Sequence, residues 1–315
     1  MYKLGIDLGG TGIKAALLDK NGSISQRAAI ATHCELGYQA VFDRIAQCAG
    51  QCLEQEHIKP SDLKAIGLAA AGMLSEDGQE IVFSSNLRFL HVKAVDEMKK
   101  RFPCPITLTN DADAAALGEH FYGAGKGAKS SVTITLGTGI GSGIVMNNKI
   151  MSGSFRSGAE IGHQIIEANG IQCRCGQQGC LEVYASGTAL IVDAARRARE
   201  NPSSFLNSIC SGNLAKLDAG MVFQAHYNHD PDATRAIEQF TKYLGIGIIN
   251  VINLLQPEAV IIGGGLSAEK ENLTKPLNDY VRKHLLFGGQ NMRTKIRYAL
   301  LGNDAGALGA AMLCE

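Results

Sequence analysis

Three glycine-rich turns, each at the end of an apolar stretch, constrain this chain more than any other feature. Asp7-Leu8-Gly9-Gly10-Thr11-Gly12-Ile13-Lys14 joins the apolar stretches Leu4 to Leu8 and Ile13 to Leu18. Leu136-Gly137-Thr138-Gly139-Ile140-Gly141-Ser142-Gly143 lies between Val132 to Leu136 and Gly143 to Met146. Gly263-Gly264-Gly265-Leu266-Ser267 follows Ala259 to Ile262. Alternate glycines are costly to order, and a plain hairpin needs only one or two. What they permit is close approach of backbone N–H groups to phosphate oxygens. Thr11 adds a hydroxyl donor and Lys14 a mobile positive charge. Asp7, at a strand end, can hold Mg²⁺ directly or through water. The candidate nucleotide-binding residues are therefore Asp7, Gly9, Gly10, Thr11, Lys14, Gly137, Thr138, Gly139, Gly264 and Gly265. No turn follows G-x-x-x-x-G-K-[ST] or G-x-G-x-x-G, which disfavours a P-loop or Rossmann enzyme. Alone, the first turn reads equally as a tight hairpin with an exposed Asp.

Ile6 to Thr11 echoes Ile134 to Gly139, which suggests two related halves. Asn21-Gly22 signals a hairpin. Helices are predicted over Tyr38 to His57, Asp111 to Tyr122, Gly187 to Arg199, Asp232 to Leu255 and Ala305 to Leu313, with Ser267 capping one more. Strands are predicted at Leu63 to Ala71, Ile106 to Thr109 and Ile296 to Leu301. The stretch from Gly153 to Glu182 reads as loop.

At roughly 150 residues per domain, 315 residues suggest about two domains. Formal net charge is zero and no Lys/Arg block stands out, so nucleic-acid and membrane-surface roles lack electrostatic support. Leu244 to Leu255 is too short to span a bilayer, and no targeting segment is visible. Of nine cysteines, six are scattered and three crowd together at 173, 175 and 180. That distribution fits a reducing cytosol and one metal site better than a disulfide framework.

Thr109-Asn110-Asp111-Ala112-Asp113 puts two carboxylates at a strand-to-helix junction. Phosphoryl transfer to an alcohol needs a carboxylate that accepts the hydroxyl proton. Asn110 can fix a neighbouring sugar hydroxyl. Residues i and i+2 of a helix face different ways, so one of Asp111 and Asp113 is structural. An acidic helix start explains the pair as well. The sharpest local signal is His163 with Cys173, Cys175 and Cys180, a Cys₃His set suited to tetrahedral Zn²⁺. Four protein ligands leave no open position, so the zinc is expected to be structural. Glu160 and Glu182 flank the cluster as acceptors for sugar hydroxyls. The unligated nitrogen of His163 could reach a hydroxyl too.

Together these motifs resemble the ROK family of sugar kinases, repressors and open-frame proteins over nearly the whole chain. The resemblance runs from Asp7-Leu8-Gly9-Gly10-Thr11 through Asn110-Asp111, Leu136 to Gly139, Glu160-Ile161-Gly162-His163, Cys173-Arg174-Cys175 and Gly179-Cys180-Leu181-Glu182 to Leu301 to Gly306. It implies an actin-like ATPase fold of two ribonuclease-H-like domains with a cleft between them, ATP and Mg²⁺ bound there and the sugar beside them. The expected domains are 1–117 and 118–301, with 302–315 returning to the first as a helix. The resemblance makes Asp111 the general base. Asn86, Asn110, Asp111, Glu160, His163 and Glu182 become sugar ligands, and His163, Cys173, Cys175 and Cys180 zinc ligands. It implies a cytoplasmic homodimer acting on a hexose, glucose foremost, with N-acetylmannosamine or N-acetylglucosamine as alternatives. Asp113 departs from the Asn often found there. Sugar-sensing regulators of the family carry a helix-turn-helix before the first glycine turn; with Asp7 the seventh residue, that reading is disfavoured.

Overall fold

The computed structural model describes residues 1–290 and 292–314. The chain divides into two compact units, one of Met1–Thr133, Gly143–Ala159 and Leu300–Glu315, the other of Ile134–Ser142 and Glu160–Ala299. The expected division, 1–117 with 302–315 against 118–301, shares the C-terminal return but differs in its middle bounds, because the chain also passes between the units within two strands of one hairpin.

Unit one begins with β1 (Tyr2–Leu8), β2 (Gly12–Leu18) and β3 (Ile24–Ala31), followed by α1 (Tyr38–Gln55) and β4 (Leu63–Ala70). Short strands β5 (Met73–Leu74), β6 (Ile81–Ser84) and β7 (Phe89–Val92) come next, then α2 (Ala94–Lys99), β8 (Ile106–Asn110) and α3 (Asp111–Phe121). The main sheet has the order β3-β2-β1-β4-β8. β1, β2 and β3 pair antiparallel, whereas β4 runs parallel to both β1 and β8. Its β4 is small and apolar, Ile66-Gly67-Leu68-Ala69-Ala70, as befits a strand covered on both faces. On one face α1 buries Val41, Phe42, Ile45, Cys48, Ala49, Cys52 and Leu53, a stripe at helical spacing, among Leu4, Ile6 and Leu68. Each large apolar side chain so buried contributes about 1.5–3 kcal/mol.

The second sheet of unit one, β5-β6-β7, was not legible in the sequence. β5 has two residues, and Met73, Phe83 and Leu90 remain exposed, so neither length nor alternation marks the strands.

The other large sheet contains β9 (Ser130–Leu136), β10 (Ile140–Met146), β11 (Lys149–Ile150), β12 (Ala259–Gly263) and β13 (Lys295–Tyr298), in the order β11-β10-β9-β12-β13. Unit two adds the helices α4 (Glu182–Ala185), α5 (Gly187–Glu200), α6 (Phe205–Ile209), α7 (Ala219–Tyr227), α8 (Pro231–Leu255) and α9 (Glu271–His284). Strand for strand, this order repeats the first sheet: β9 and β10 stand for β1 and β2, and β12 and β13 for β4 and β8. The echo between Ile6 to Thr11 and Ile134 to Gly139 is thus a repeat of topology.

α8 starts at an Asp230 cap, whose carboxylate accepts from the Ala233 N–H at 2.7 Å, with Pro231 in the first turn. Ser267 does not cap α9. It lies inside a 3₁₀ turn, Gly265–Glu269, and its hydroxyl donates back to the Gly264 carbonyl at 2.7 Å. The tight turn consumes the hydroxyl before α9 begins.

The last helix, α10 (Ala305–Met312), belongs to unit one, where Ala305, Ala307 and Ala310 lie against the glycines of α3, β1 and β4. Glu119 fixes the approach to it. This buried carboxylate accepts from the N–H groups of Ala124 at 2.9 Å, Leu300 at 3.0 Å and Leu301 at 2.7 Å.

Candidate active site

In unit one the first glycine turn is held from beneath. The Thr32 hydroxyl donates to the Gly9 carbonyl at 2.6 Å and the Cys34 thiol to the Gly10 carbonyl at 3.0 Å. With those carbonyls turned inward, the amides of Gly10 and Thr11 meet no acceptor among the described residues. Neither Thr32 nor Cys34 was singled out by sequence, since nothing local ties them to a turn more than twenty residues away. The Asn86 backbone lies against Gly10, which brings this exposed side chain beside the turn.

Sheet register aligns the acidic residues. Asp7 pairs with Ala69 and Ala70 with Asn110, so β1 and β8 flank β4 with their C-terminal ends at one edge. Two strand spacings put these ends about 10 Å apart. Burial pushes the Asp7 carboxyl up to about 6; Lys14, its cross-strand neighbour, opposes the shift, and the Asp111 charge adds to it. Gly306 of α10 packs directly on this carboxyl: a Cβ there would fall 2.7 Å from the Asp7 carboxyl carbon. A carboxylate so raised, beside a second one, suits a bound divalent cation, which would reverse the shift.

Asn110 caps α3. Its side-chain oxygen accepts from the Ala112 N–H at 2.8 Å, and its amide nitrogen reaches the Gly72 carbonyl at 3.4 Å. Asp111, the first residue of α3, is open to solvent at its edge. The protein around it nevertheless raises its carboxyl above the usual range, against a hydrogen bond from the Ala112 N–H at 3.0 Å. Asp113 points elsewhere: it is buried and accepts from the Ser152 hydroxyl at 2.7 Å.

In unit two, Glu182 and the second glycine turn form one assembly. Glu182 Oε2 accepts from the Ile140 N–H at 2.8 Å. A Cβ at Gly139 would fall 2.3 Å from Oε2 of this carboxylate, so any larger residue there displaces the Glu182 side chain. Glu182 therefore has a partner that the sequence did not reveal. Gly137, Thr138 and Gly265 line a cavity of about 220 Å³ with Thr188, Ile191 and Leu266. Gly264 stands apart, packed on the Leu136 backbone at φ 77°.

Glu160 is exposed and leads into a 3₁₀ turn, Ile161–His163, anchored where the Ile161 N–H donates to Ser142 Oγ at 3.0 Å. His163, Cys173, Cys175 and Cys180 come together with one ligand atom each, all within 4.8 Å of one another. Cys175 Sγ and Cys180 Sγ are 3.6 Å apart, and Cys173 Sγ and His163 Nδ1 are 3.8 Å apart. Tetrahedral Zn²⁺ with Zn–S of about 2.3 Å has ligand edges of about 3.8 Å, so the four residues fit the ion. Nδ1 faces the thiols, which leaves Nε2 of His163 directed away from the cluster.

Two sheets of one topology, each opening on a glycine hairpin, make this the actin-like ATPase fold of two domains. The sequence profile of the ROK family matches residues 3–315. The glucokinase of Halalkalibacterium halodurans is 36% identical over 315 residues, covering 100% of this chain and 95% of that protein. A ROK family glucokinase from Streptomyces griseus, solved with glucose and AMPPNP, superposes with a TM-score of 0.81 at 33% identity, covering 99% of both chains. A ROK hexokinase from Thermus thermophilus gives a TM-score of 0.84 at 31% identity, covering 99% of this chain and 97% of that one. The chain belongs to the ROK family.

Proposed function

We propose that this protein is an ATP-dependent hexose kinase converting glucose to glucose 6-phosphate. The observation that carries the reading is the place of Asp111, in the first turn of α3 beside the Asn110 cap and at the same sheet edge as Asp7, in a chain similar end to end to glucokinases. Asp111 accepts the proton of the sugar hydroxyl as its oxygen bonds to the γ-phosphorus of ATP and the bond to the ADP oxygen breaks. Unit one supplies Asp111, Asn110 and Asn86 toward the sugar, and Asp7, Gly9, Gly10, Thr11 and Lys14 toward the phosphates. Mg²⁺ held at Asp7 would neutralise phosphate charge when bound.

Unit two supplies Glu160, His163 through Nε2, and the free oxygen of Glu182 as hydroxyl ligands. Gly137, Thr138 and Gly265 offer the nucleotide a cavity with apolar walls at Ile191 and Leu266. Zn²⁺ at His163, Cys173, Cys175 and Cys180 is structural, since protein fills all four positions.

The reading includes a cytoplasmic homodimer with neither nucleic acid nor membrane as partner. Neutral net charge, free cysteines and family membership support it. Among the described residues no helix is long and apolar enough to cross a membrane.

A coupled ADP-release assay over glucose, mannose, fructose, allose, N-acetylglucosamine and N-acetylmannosamine tests the proposal. Glucose is expected to give the highest kcat/KM. A flat response across the panel overturns hexose phosphorylation, and preference for an acetylated sugar overturns glucose alone.

A further inference from the structure

Asp113 lies two residues beyond Asp111 on α3, and its buried carboxylate accepts the Ser152 hydroxyl at 2.7 Å. Ser152 opens a segment that closes on itself: the Gly158 N–H donates to the Ser152 carbonyl at 2.9 Å. Between these points, Arg156 lays its guanidinium against Gly78, in the turn before β6. The segment ends on Ala159, and the next residue is Glu160. Arg156 and Ala159 both hold left-handed backbone, at φ 56° and 65°. Non-glycine residues persist in that region where surroundings over-determine them, and such positions cluster at ligand clamps. On the far side of Glu160, the Ile161 N–H is fixed to Ser142 Oγ. Glu160 thus sits between two anchored points of backbone, and Ser152–Asp113 is the anchor that starts on the helix of the base.

We infer that Asp113 is a positioning residue for sugar recognition: through Ser152 it sets the segment 152–159, and with it the place of Glu160. This rests on the hexose kinase reading. The role is distinct from that of the base, since the Asp113 carboxylate is buried, accepts from Ser152 and does not share the open face of Asp111. Loss of the pair frees the loop to sample other conformations and lowers the fraction of protein that presents Glu160 correctly. The penalty falls on the sugar and spares ATP, whose candidate ligands have their own supports in Thr32, Cys34 and Glu182.

The experiment compares wild type, Asp113→Ala, Asp113→Asn, Ser152→Ala and the double alanine variant. Wild-type turnover is measured first: its absence overturns the kinase reading itself, whereas turnover with an unmoved KM overturns only this inference. Asp113→Ala and Ser152→Ala are each expected to raise the glucose KM about tenfold, with the ATP KM within about twofold and the double no worse than either single. Asp113→Asn restores the wild-type value, because its amide oxygen still accepts the Ser152 hydroxyl. Should Asp113→Ala fail to fold, Ser152→Ala carries the test, with hydrogen exchange at the Gly158 amide as second readout. Faster exchange with a raised glucose KM supports the inference. An unchanged glucose KM in folded Ser152→Ala, or equal rises in both KM values, overturns it.

Discussion

Asp7 and Asp111 stand at the ends of strands that flank the same neighbour, and the charge of Asp111 adds to the burial that lifts the Asp7 carboxyl to about 6. The ordinary value is 3.8, so between these two values the folded protein holds a proton that the unfolded chain has lost. Stability must therefore fall as pH rises through that window, by an amount on the order of 2–3 kcal/mol if Asp7 acts alone. Asp7→Asn removes the penalty. Without ligands, its Tm is expected to exceed wild type above pH 7 and to match it near pH 4, while kcat falls. Mg²⁺ with nucleotide stabilises wild type more than the variant. Thermal melts at both pH values check this, and parallel curves would remove Asp7 as the strained acid.

Asp111→Asn keeps the shape of the helix start and loses the proton acceptor. A general base is worth about 10²–10⁴ in rate. The kcat is expected to drop by that factor while glucose still binds, as read by calorimetry. Turnover close to wild type would eliminate Asp111 as the base.

The cysteine cluster predicts one zinc ion per chain by elemental analysis of protein purified without chelator. Strong chelation, or Cys175→Ser, is expected to loosen residues 163–180 and raise the glucose KM while helix content changes little. A protein that carries no zinc and keeps a normal glucose KM would contradict the assignment.

Glu119 touches no candidate substrate ligand, yet its truncation is expected to matter for folding. Three amides lose a buried charged acceptor in Glu119→Ala. The cost is about 3 kcal/mol, and at about 2–4 °C per kcal/mol the Tm falls by about 6–12 °C. Glu119→Gln recovers part of it. Differential scanning calorimetry decides the matter, and a shift below about 2 °C refutes the role.

Much of the architecture was legible because hairpins and buried strands write themselves locally. Gly9 to Gly12 between apolar strands, the β4 run of small apolar residues and the α1 stripe each carry their own period. The repeat of Ile6 to Thr11 in Ile134 to Gly139 pointed to two related halves. Other features depend on partners distant in sequence. Thr32 and Cys34 hold the first turn, Ile191 and Thr188 line the cavity beside Thr138, and the partner that makes Asp113 structural, Ser152, lies 39 residues away. Ser267 misled for a local reason: it stands just before α9, but inside a 3₁₀ turn where its hydroxyl bonds back to the Gly264 carbonyl. The His163 cluster was readable as a set, though spacing alone did not say that Nδ1 faces the thiols.

Glu182 grips the amide of Ile140 and fills the space that a side chain on Gly139 would take. The proposed hydroxyl acceptor and the proposed phosphate turn are thereby one mechanical part. On the proposed roles, a sugar that draws on this carboxylate would shift the turn, and a nucleotide that orders the turn would preset the carboxylate. By reciprocity of linked equilibria, each substrate then changes the affinity for the other by the same factor, and the order of their addition carries no thermodynamic meaning.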